Sequence, residues 1–381
     1  MRAIAAATLV ARLPYGMGTI ALIIFTHSVT GSYGAAGAVG GLYTFGFAVT
    51  GPFLGRLVDR RGPRAVIIAA SSLCSLATLG VVILGSNGAG LVPIAIAAGV
   101  AGAATPPISG LLRRTWPSLV TRDQLPSAYL FDAILIEGVF IAGPLLTGLL
   151  TALISPAAPL LLSVASGAIG AVFFLRIPEV ASIPPVHEEH HSRAGALASP
   201  TIRYLVITGL SVTFTFGALD VALPAFGTLH GNSALGGVFA SATGVGSICG
   251  ALLFSAAGSR LGNLRRGLLI LVVVQPLLSL PLLLAPSPLV MIPLIILASS
   301  YAAPLNTLRS QMAEKSMPPG TGTETFSWLL LTLMLGISLG SLLGGPVVGV
   351  FGWRAGVLLG IGGSLLMLPF TLTRRSLMPR G

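Results

Sequence analysis

The sequence contains 381 residues, of which 54% are hydrophobic and only 8% are charged, and its formal net charge is +11. Soluble domains carry roughly 25% charged residues, so this composition excludes an ordinary soluble protein and indicates a chain whose solvent is lipid. Such a positive charge is also typical of nucleic-acid-binding proteins, but the apolar segments leave no room for a separate DNA-binding domain, so we expect no nucleic-acid partner.

Twelve apolar segments follow one another along the chain, and each is long enough for the roughly 20 residues that a membrane-spanning helix needs. The first six predicted spans cover residues 3–27, 33–55, 64–86, 90–112, 125–151 and 155–176. The second six cover residues 204–229, 233–257, 266–286, 288–309, 322–349 and 353–373. The first span is too long for the core of a signal peptide, so it is predicted to remain as a helix.

The basic residues alternate with the spans. All but two of the 21 lysines and arginines lie at the N-terminus, at the C-terminus, around the middle loop, or after spans 2, 4, 8 and 10. The exceptions are Arg12, inside span 1, and Arg354, at the start of span 12. The positive-inside rule therefore predicts a multi-pass protein of the cytoplasmic membrane with both termini in the cytoplasm.

A polar, proline-containing stretch at residues 177–203 separates the two sets of six spans and is predicted to be a cytoplasmic linker. It contains the run His187-Glu188-Glu189-His190-His191, which is either a solvated segment or a metal-binding tract. The predicted domains are an N-terminal bundle at 1–176 and a C-terminal bundle with a short tail at 204–381.

The two sets of spans also repeat each other at a separation of about 200 residues, which is typical of parallel structural repeats. The matching landmarks are His27 and His230, the loops Asp59 to Arg64 and Ser259 to Arg266, and the pairs Gly143-Pro144 and Gly345-Pro346. The fold class expected is thus an all-α membrane protein with twelve transmembrane helices in two pseudo-symmetric six-helix bundles.

Two motifs connect the chain to a known family. The loop after span 2 reads Gly55-Arg56-Leu57-Val58-Asp59-Arg60-Arg61-Gly62-Pro63-Arg64, and span 5 contains Gly138, Gly143, Pro144 and Gly148. On these motifs the whole chain resembles the major facilitator superfamily, in particular its bacterial drug and small-molecule efflux members. The resemblance implies a secondary active transporter that exports a small organic molecule by alternating access, with proton coupling.

The loop motif is a candidate gate, with Gly55, Arg56, Asp59, Arg60, Gly62 and Arg64 as its residues. Gly55 and Gly62 bracket the expected turn, and Asp59 can accept charge-assisted hydrogen bonds. The resemblance implies that Asp59 holds the cytoplasmic side closed against span 11; the alternative is a static topology signal. Ser259 occupies the matching position in the second half, so the two halves are expected to gate unequally.

Four charged residues fall inside predicted spans and away from the span ends, where an ionised group costs roughly 2.5–3.5 kcal/mol at the centre of the bilayer. They are Arg12, Asp132, Glu137 and Asp220. Asp132 and Glu137 point about 140° apart on one helix, and Glu137 shares the face of Pro144. We expect Asp132 to be structural, in reach of the arginines that end span 4, and Glu137 to be the main candidate for proton coupling. Arg12 and Asp220 are candidates either for substrate and proton binding or for private ion pairs.

Span 4 departs from the pattern of the drug-proton antiporters in this family, which carry an arginine in its middle. The corresponding stretch, Pro93 to Gly99, is uncharged. If proton coupling operates, Arg12 is the available basic partner.

Glycines at four-residue spacing predict close helix packing in span 11, at Gly336, Gly340 and Gly344, and in span 8, at Gly246 and Gly250. Cys74 and Cys249 also lie inside predicted spans and are expected to be core residues rather than a disulfide or metal pair.

No catalytic motif is present, so the chain is not expected to be an enzyme. The single lysine, Lys315, excludes the phosphate-binding loop of an ATP-driven pump. We expect no cofactor and no metal site, a small-molecule substrate, the lipid bilayer as surroundings and a monomeric state. Uptake or uniport of a sugar, amino acid or organic acid is the alternative function, and a channel or sensory scaffold also remains open.

Overall fold

The computed structural model describes residues 2–121, 124–181, 196–257, 264–318 and 322–373, and all regular structure in these ranges is helical. The chain divides into two compact units, residues 1–188 and 189–381. The boundary lies in the stretch that the sequence suggests as a linker, of which residues 182–195 lie outside the described ranges. The histidine run is therefore outside them too.

The N-terminal unit consists of long helices joined by short turns. Its helices are α1 (Arg2–Thr30), α2 (Tyr33–Arg61), α3 (Pro63–Ser86), α4 (Leu91–Ala103), α5 (Ile108–Leu119), α6 (Leu125–Leu153), α7 (Ala158–Leu175) and the short α8 (Pro178–Ala181). Helix α1 packs on α2, α6 and α7, and α4 packs between α2 and α3.

The C-terminal unit repeats this arrangement. Its helices are α9 (Pro200–Leu229), α10 (Leu235–Ala257), α11 (Leu264–Ser279), α12 (Pro288–Ser299), α13 (Ala302–Ser316), α14 (Gly322–Phe351) and α15 (Trp353–Thr373). Helix α9 is central, since it packs on α10, α14 and α15.

Each of the twelve predicted spans corresponds to helix, and nine helices in the described part of the chain are long and apolar enough to cross a membrane. Gly138–Leu153 and Trp353–Leu366 are apolar over shorter lengths. Large apolar side chains such as Leu284, Leu289 and Leu366 are about four-fifths exposed. An outer surface of this kind requires lipid rather than water around it.

Two predicted spans are broken, which the sequence analysis did not foresee. Span 4 consists of α4 and α5, separated at Ala104–Pro107, and span 10 consists of α12 and α13, separated at Ser300–Tyr301. Pro106 and Pro107 cause the first break, because proline lacks the N–H that the fourth preceding carbonyl needs. Pro304 has the same relation to the carbonyl of Ser300 at the second break. Span 10 also continues to Ser316, past its predicted end at 309.

Close glycine contacts join helices at equivalent places in the two units. A Cβ added to Gly143 of α6 would overlap the backbone of Gly16 in α1, and one added to Gly340 of α14 would overlap the carbonyl of Phe214 in α9. Gly336 of α14 and Gly246 and Gly250 of α10 approach neighbouring backbones in the same way. The close packing predicted for Gly336, Gly340, Gly246 and Gly250 is confirmed.

Candidate functional site

A single residue, Gly62, forms the turn between α2 and α3. Helix α2 continues to Arg61, Gly62 adopts φ +81°, and Pro63 begins α3. This φ lies in the region that favours glycine, so Gly62 is required for the turn. Gly55 lies inside α2 with no atom within 4 Å of an added Cβ, and the expectation that it brackets the turn is wrong because α2 does not end there.

The charged side chains of the candidate gate are described only in part. Arg64 is exposed at the start of α3. The side chains of Arg56, Asp59 and Arg60, and the matching loop at residues 258–263, lie outside the described part of the chain.

Arg12 and Asp132 form a buried ion pair between α1 and α6. Arg12 Nη1 donates to Asp132 Oδ1 at 2.6 Å, and each side chain is only 1% exposed. Among the described residues, Arg12 Nε and Nη2 have no hydrogen-bond partner. The carboxylate of Asp132 offsets the charge of Arg12, so removing Asp132 would leave this buried charge uncompensated.

This pair bears on the alternatives left open for Arg12. Arg12 is ion-paired with Asp132. The sequence analysis also placed Asp132 in reach of the arginines that end span 4, and the side chains of Arg113 and Arg114 lie outside the described part of the chain. Glu137 lies in α6, and its side chain is outside the described part of the chain.

The glycine-proline pattern of α6 follows Asp132 along the helix. Gly143 is the point of contact with α1, whereas a Cβ on Gly138 would meet no atom within 4 Å. Pro144 lies inside the helix, and Thr147 Oγ1 donates to the carbonyl of Gly143 at 3.0 Å. Gly148 is buried. Only part of the predicted motif therefore serves close packing.

Tyr15, which sequence reasoning missed, connects α1 to the break in span 4. Its hydroxyl donates to the carbonyl of Pro106 and accepts from the N–H of Ile108 at 3.1 Å. Thr50 Oγ1 donates to the carbonyl of Ala103 at 2.6 Å, which is the acceptor that Pro107 leaves without a helical donor. The break is thus held by side chains from α1 and α2. The proline pair at 106–107 was a signal that could have located it.

Asp220 is half-buried in α9, inside a candidate span, and has no ionic partner among the residues that the structure describes. An acid without a cation at such a position marks a functional-site candidate by default, because charge in the membrane is expensive to keep.

Arg309 is a second buried cation that sequence reasoning missed, since it was assigned to the charged end of span 10. It is 2% exposed, and its Nη2 donates to the carbonyl of Leu205 at 2.9 Å. A Cβ on Gly209 would overlap this guanidinium, so the missing side chain of Gly209 makes the space for it. Within the described ranges Arg309 has no acidic partner.

Asp220 and Gly209 lie on the same face of α9. Eleven residues separate them, which amounts to about 20° of rotation and about 16 Å along the helix. Arg309 and Asp220 are therefore charges of opposite sign at two depths along one helix face, too far apart for a direct ion pair.

A polar network joins α9, α11 and α15. Gln275 Nε2 donates to the carbonyl of Val212 at 3.2 Å and to the hydroxyls of Thr215 at 3.1 Å and Ser364 at 3.0 Å. Thr215 Oγ1 also donates to the carbonyl of Gly360 at 2.9 Å. The members satisfy one another, so this cluster is a structural connection rather than a site.

No group of three or more His, Cys, Asp or Glu side chains that could hold a metal ion occurs among the described residues. Cys74 and Cys249 are free thiols.

Comparison with known proteins gives consistent matches. Residues 4–320 match the sequence model of the Major Facilitator Superfamily. The structure is similar to a point mutant of the nucleoside transporter NupG, with a TM-score of 0.78, 16% identity and coverage of 97% of this chain and 98% of that one. It is also similar to an inward-facing bacterial homologue of the iron transporter ferroportin, with a TM-score of 0.75, 16% identity and 98% coverage of both chains.

An auto-inhibited peptide transporter of the POT family matches with a TM-score of 0.66 and 12% identity, over 98% of this chain and 96% of that one. No curated protein sequence matches the chain. At these identities the structural likeness shows the fold alone.

Proposed function

Because this chain belongs to the Major Facilitator Superfamily, a family of membrane transporters, we propose that it is a secondary active carrier that exports a small organic molecule with proton coupling. The observation that carries the coupling is Asp220, a half-buried acid inside a span that has no cationic partner among the described residues. A carboxyl group in this setting can bind and release a proton as its surroundings change during alternating access.

The other intramembrane charges have different roles in this proposal. Arg12 and Asp132 neutralise each other and fix α1 to α6, so they form the rigid part of the N-terminal unit. Glu137 is the second coupling candidate, because the five-residue step along α6 turns it about 140° away from Asp132.

The α2–α3 hairpin is proposed as a gating element. Only Gly62 separates α2 from α3, so the adjoining ends of the two helices are expected to move together. A change in the interactions of Asp59 would therefore affect both helices. Asp59→Asn removes the charge and keeps the shape, and it is expected to reduce the transport rate while substrate binding is retained. Wild-type turnover of Asp59→Asn would assign this loop to topology alone.

We further propose that the two compact units act as the two moving bodies, with 177–203 as a cytoplasmic linker, both termini in the cytoplasm and the monomer as the working state. Cysteine labelling of intact cells tests the orientation, because added cysteines at residues 185–195 should react only after the membrane is permeabilised.

Uptake or uniport of a sugar, amino acid or organic acid is the second candidate. The fold neighbours include proteins described as nucleoside, iron and peptide transporters, so this architecture is compatible with many substrates. Arg309, a buried cation without an acidic partner among the described residues, favours an anionic substrate within this alternative.

Transport by purified protein in vesicles separates these functions. A labelled panel of apolar amines, sugars, amino acids and carboxylates is assayed in the presence and absence of an imposed pH gradient. Proton-coupled export requires accumulation that depends on the gradient and is reversed with it. Counterflow without any effect of the gradient would indicate a uniporter, and flux without counterflow would indicate a channel.

A further inference from the structure

Each unit contains a small cavity beside its broken span. The N-terminal cavity is lined at the break by Thr105 and Pro106 and has a volume of about 30 Å³. The C-terminal cavity is lined at the break by Ser299 and Tyr301 and has a volume of about 10 Å³.

The two cavities are equivalent places in the internal repeat. Tyr15, Gly18 and Tyr43 line the first cavity. Phe216, Leu219 and Thr243 line the second, each about 200 residues further along the chain. The two cavities are therefore repeats of the same site, and they are lined by different types of side chain.

Several hydroxyl groups line the N-terminal cavity, although most of its surface is apolar. Thr78 and Thr105 donate to carbonyls of their own segments, those of Cys74 and Ala101, and thus keep lone pairs that can accept hydrogen bonds. Ser71 is different, because its Oγ has no hydrogen-bond partner among the described residues although the side chain is only 7% exposed. A buried hydroxyl without a partner is costly and requires one.

We propose that the N-terminal cavity is a binding site for ordered water. Each buried water needs roughly 10–15 Å³ of cavity volume and two to four polar partners, so the N-terminal cavity accommodates about two water molecules. One water accepts from or donates to Ser71, and both donate to the lone pairs of the tyrosine and threonine hydroxyls around it.

The C-terminal cavity also has a hydroxyl without a hydrogen-bond partner among the described residues, that of Tyr301, but it offers less space. Its volume is at the lower limit for a single water. Phe216 stands at the position of Tyr15 and stacks on Tyr301, with ring centroids 5.9 Å apart and an interplanar angle of 26°. The second broken span is therefore held by aromatic contact where the first is held by hydrogen bonds and water.

The difference has a mechanical consequence. The hydrogen bonds of Tyr15 to the break in span 4 can pass to an adjacent water at little cost, so the α4–α5 joint can change its angle. The stacked rings of Phe216 and Tyr301 have no hydrogen bond to each other that a water could replace. The break between α4 and α5 can thus change its angle more readily than the break between α12 and α13, whatever substrate the protein carries.

Two measurements on the full-length protein test the proposal. The first is a density map, at a resolution that shows water elsewhere in the protein, in which water is expected within hydrogen-bond distance of Ser71 Oγ. The second is the melting temperature of Ser71→Ala. In a hydrated cavity this change removes a partner of the water and lowers the melting temperature by a few degrees; in a dry cavity it removes an unsatisfied hydroxyl and raises it.

Two variants serve as controls. Ser166→Ala removes a buried hydroxyl that bonds within its own helix, at 3.3 Å to the carbonyl of Ser163, and is expected to leave the melting temperature unchanged. Tyr301→Phe removes the unpartnered hydroxyl of the C-terminal cavity, and its melting temperature is expected to equal or exceed that of the parent. A map without water at Ser71, or a melting temperature of Ser71→Ala at or above that of the parent, overturns the proposal.

Discussion

Arg12 and Asp132 connect α1 to α6 through a single 2.6 Å contact between Nη1 and Oδ1, one helical turn before the point where Gly16 meets α6. The C-terminal unit has the same glycine crossing, at Gly217 and Gly340, but Thr213 stands about 200 residues after Arg12 and bonds to its own helix. The arginine beside the glycine crossing of the N-terminal unit therefore has an uncharged residue, Thr213, at the matching position of the C-terminal unit.

The first prediction concerns the energy of this pair. Asp132→Leu alone should destabilise the protein by about 3–5 kcal/mol, because it leaves the buried charge of Arg12 uncompensated. The double variant Arg12→Met/Asp132→Leu should recover much of that loss. Thermal unfolding of the parent, Asp132→Leu, Arg12→Met and the double variant, all purified in detergent, gives the coupling energy by a double-mutant cycle. Additive single effects would show that the two side chains do not interact.

The second prediction concerns the α1–α6 crossing. Gly143→Ala places a methyl group on the backbone of Gly16 and should lower stability by about 1–3 kcal/mol, as overpacking does. Gly138→Ala is the matched control, because it lies in the same helix and the same motif but meets no atom within 4 Å. Melting temperatures of the two variants should therefore differ, and equal values would mean that α1 and α6 do not touch at Gly143.

How far the sequence predicts this structure depends on the type of interaction. The spans follow from hydropathy because the bilayer fixes their length, and the prolines at 106–107 would have indicated the break in span 4. Partner choice is different. Arg12 and Asp132 are 120 residues apart, and helical periodicity gives the face of a residue but not its neighbour. Arg309 was assigned to a charged helix end, whereas the contact with Gly209 that buries it exists only in the packed unit.

The third prediction tests this burial of Arg309. Gly209→Ala should displace the guanidinium, since the added methyl group overlaps Nη2, and should break its bond to the carbonyl of Leu205. The double variant Gly209→Ala/Arg309→Met should be more stable than Gly209→Ala alone, because the flexible methionine adapts to the space without a buried charge. Gly362→Ala, which meets no atom within 4 Å, is the control for the general cost of the substitution. A double variant less stable than Gly209→Ala would contradict the contact.

The last prediction separates the two coupling candidates. Asp220→Asn and Glu137→Gln each keep size and hydrogen bonding and mimic the protonated form. If Asp220 is the group that loads and releases the proton, Asp220→Asn should abolish gradient-driven accumulation but retain counterflow, because exchange needs the carrier to move and does not need the proton. Initial rates of both reactions are measured in the same vesicles over a range of pH.

Glu137→Gln gives the comparison that makes the result decisive, because α6 also contains Asp132, whose charge is already matched by Arg12. Loss of accumulation in Glu137→Gln alone would transfer the coupling role to α6, and loss in both would indicate that two carboxyl groups share the proton. Asp220→Asn with wild-type accumulation and an unchanged pH profile would remove Asp220 from the mechanism. In that case its half-buried carboxyl in α9 would have to be explained by contact with substrate, and the counterflow affinity of the same variant would then be reduced.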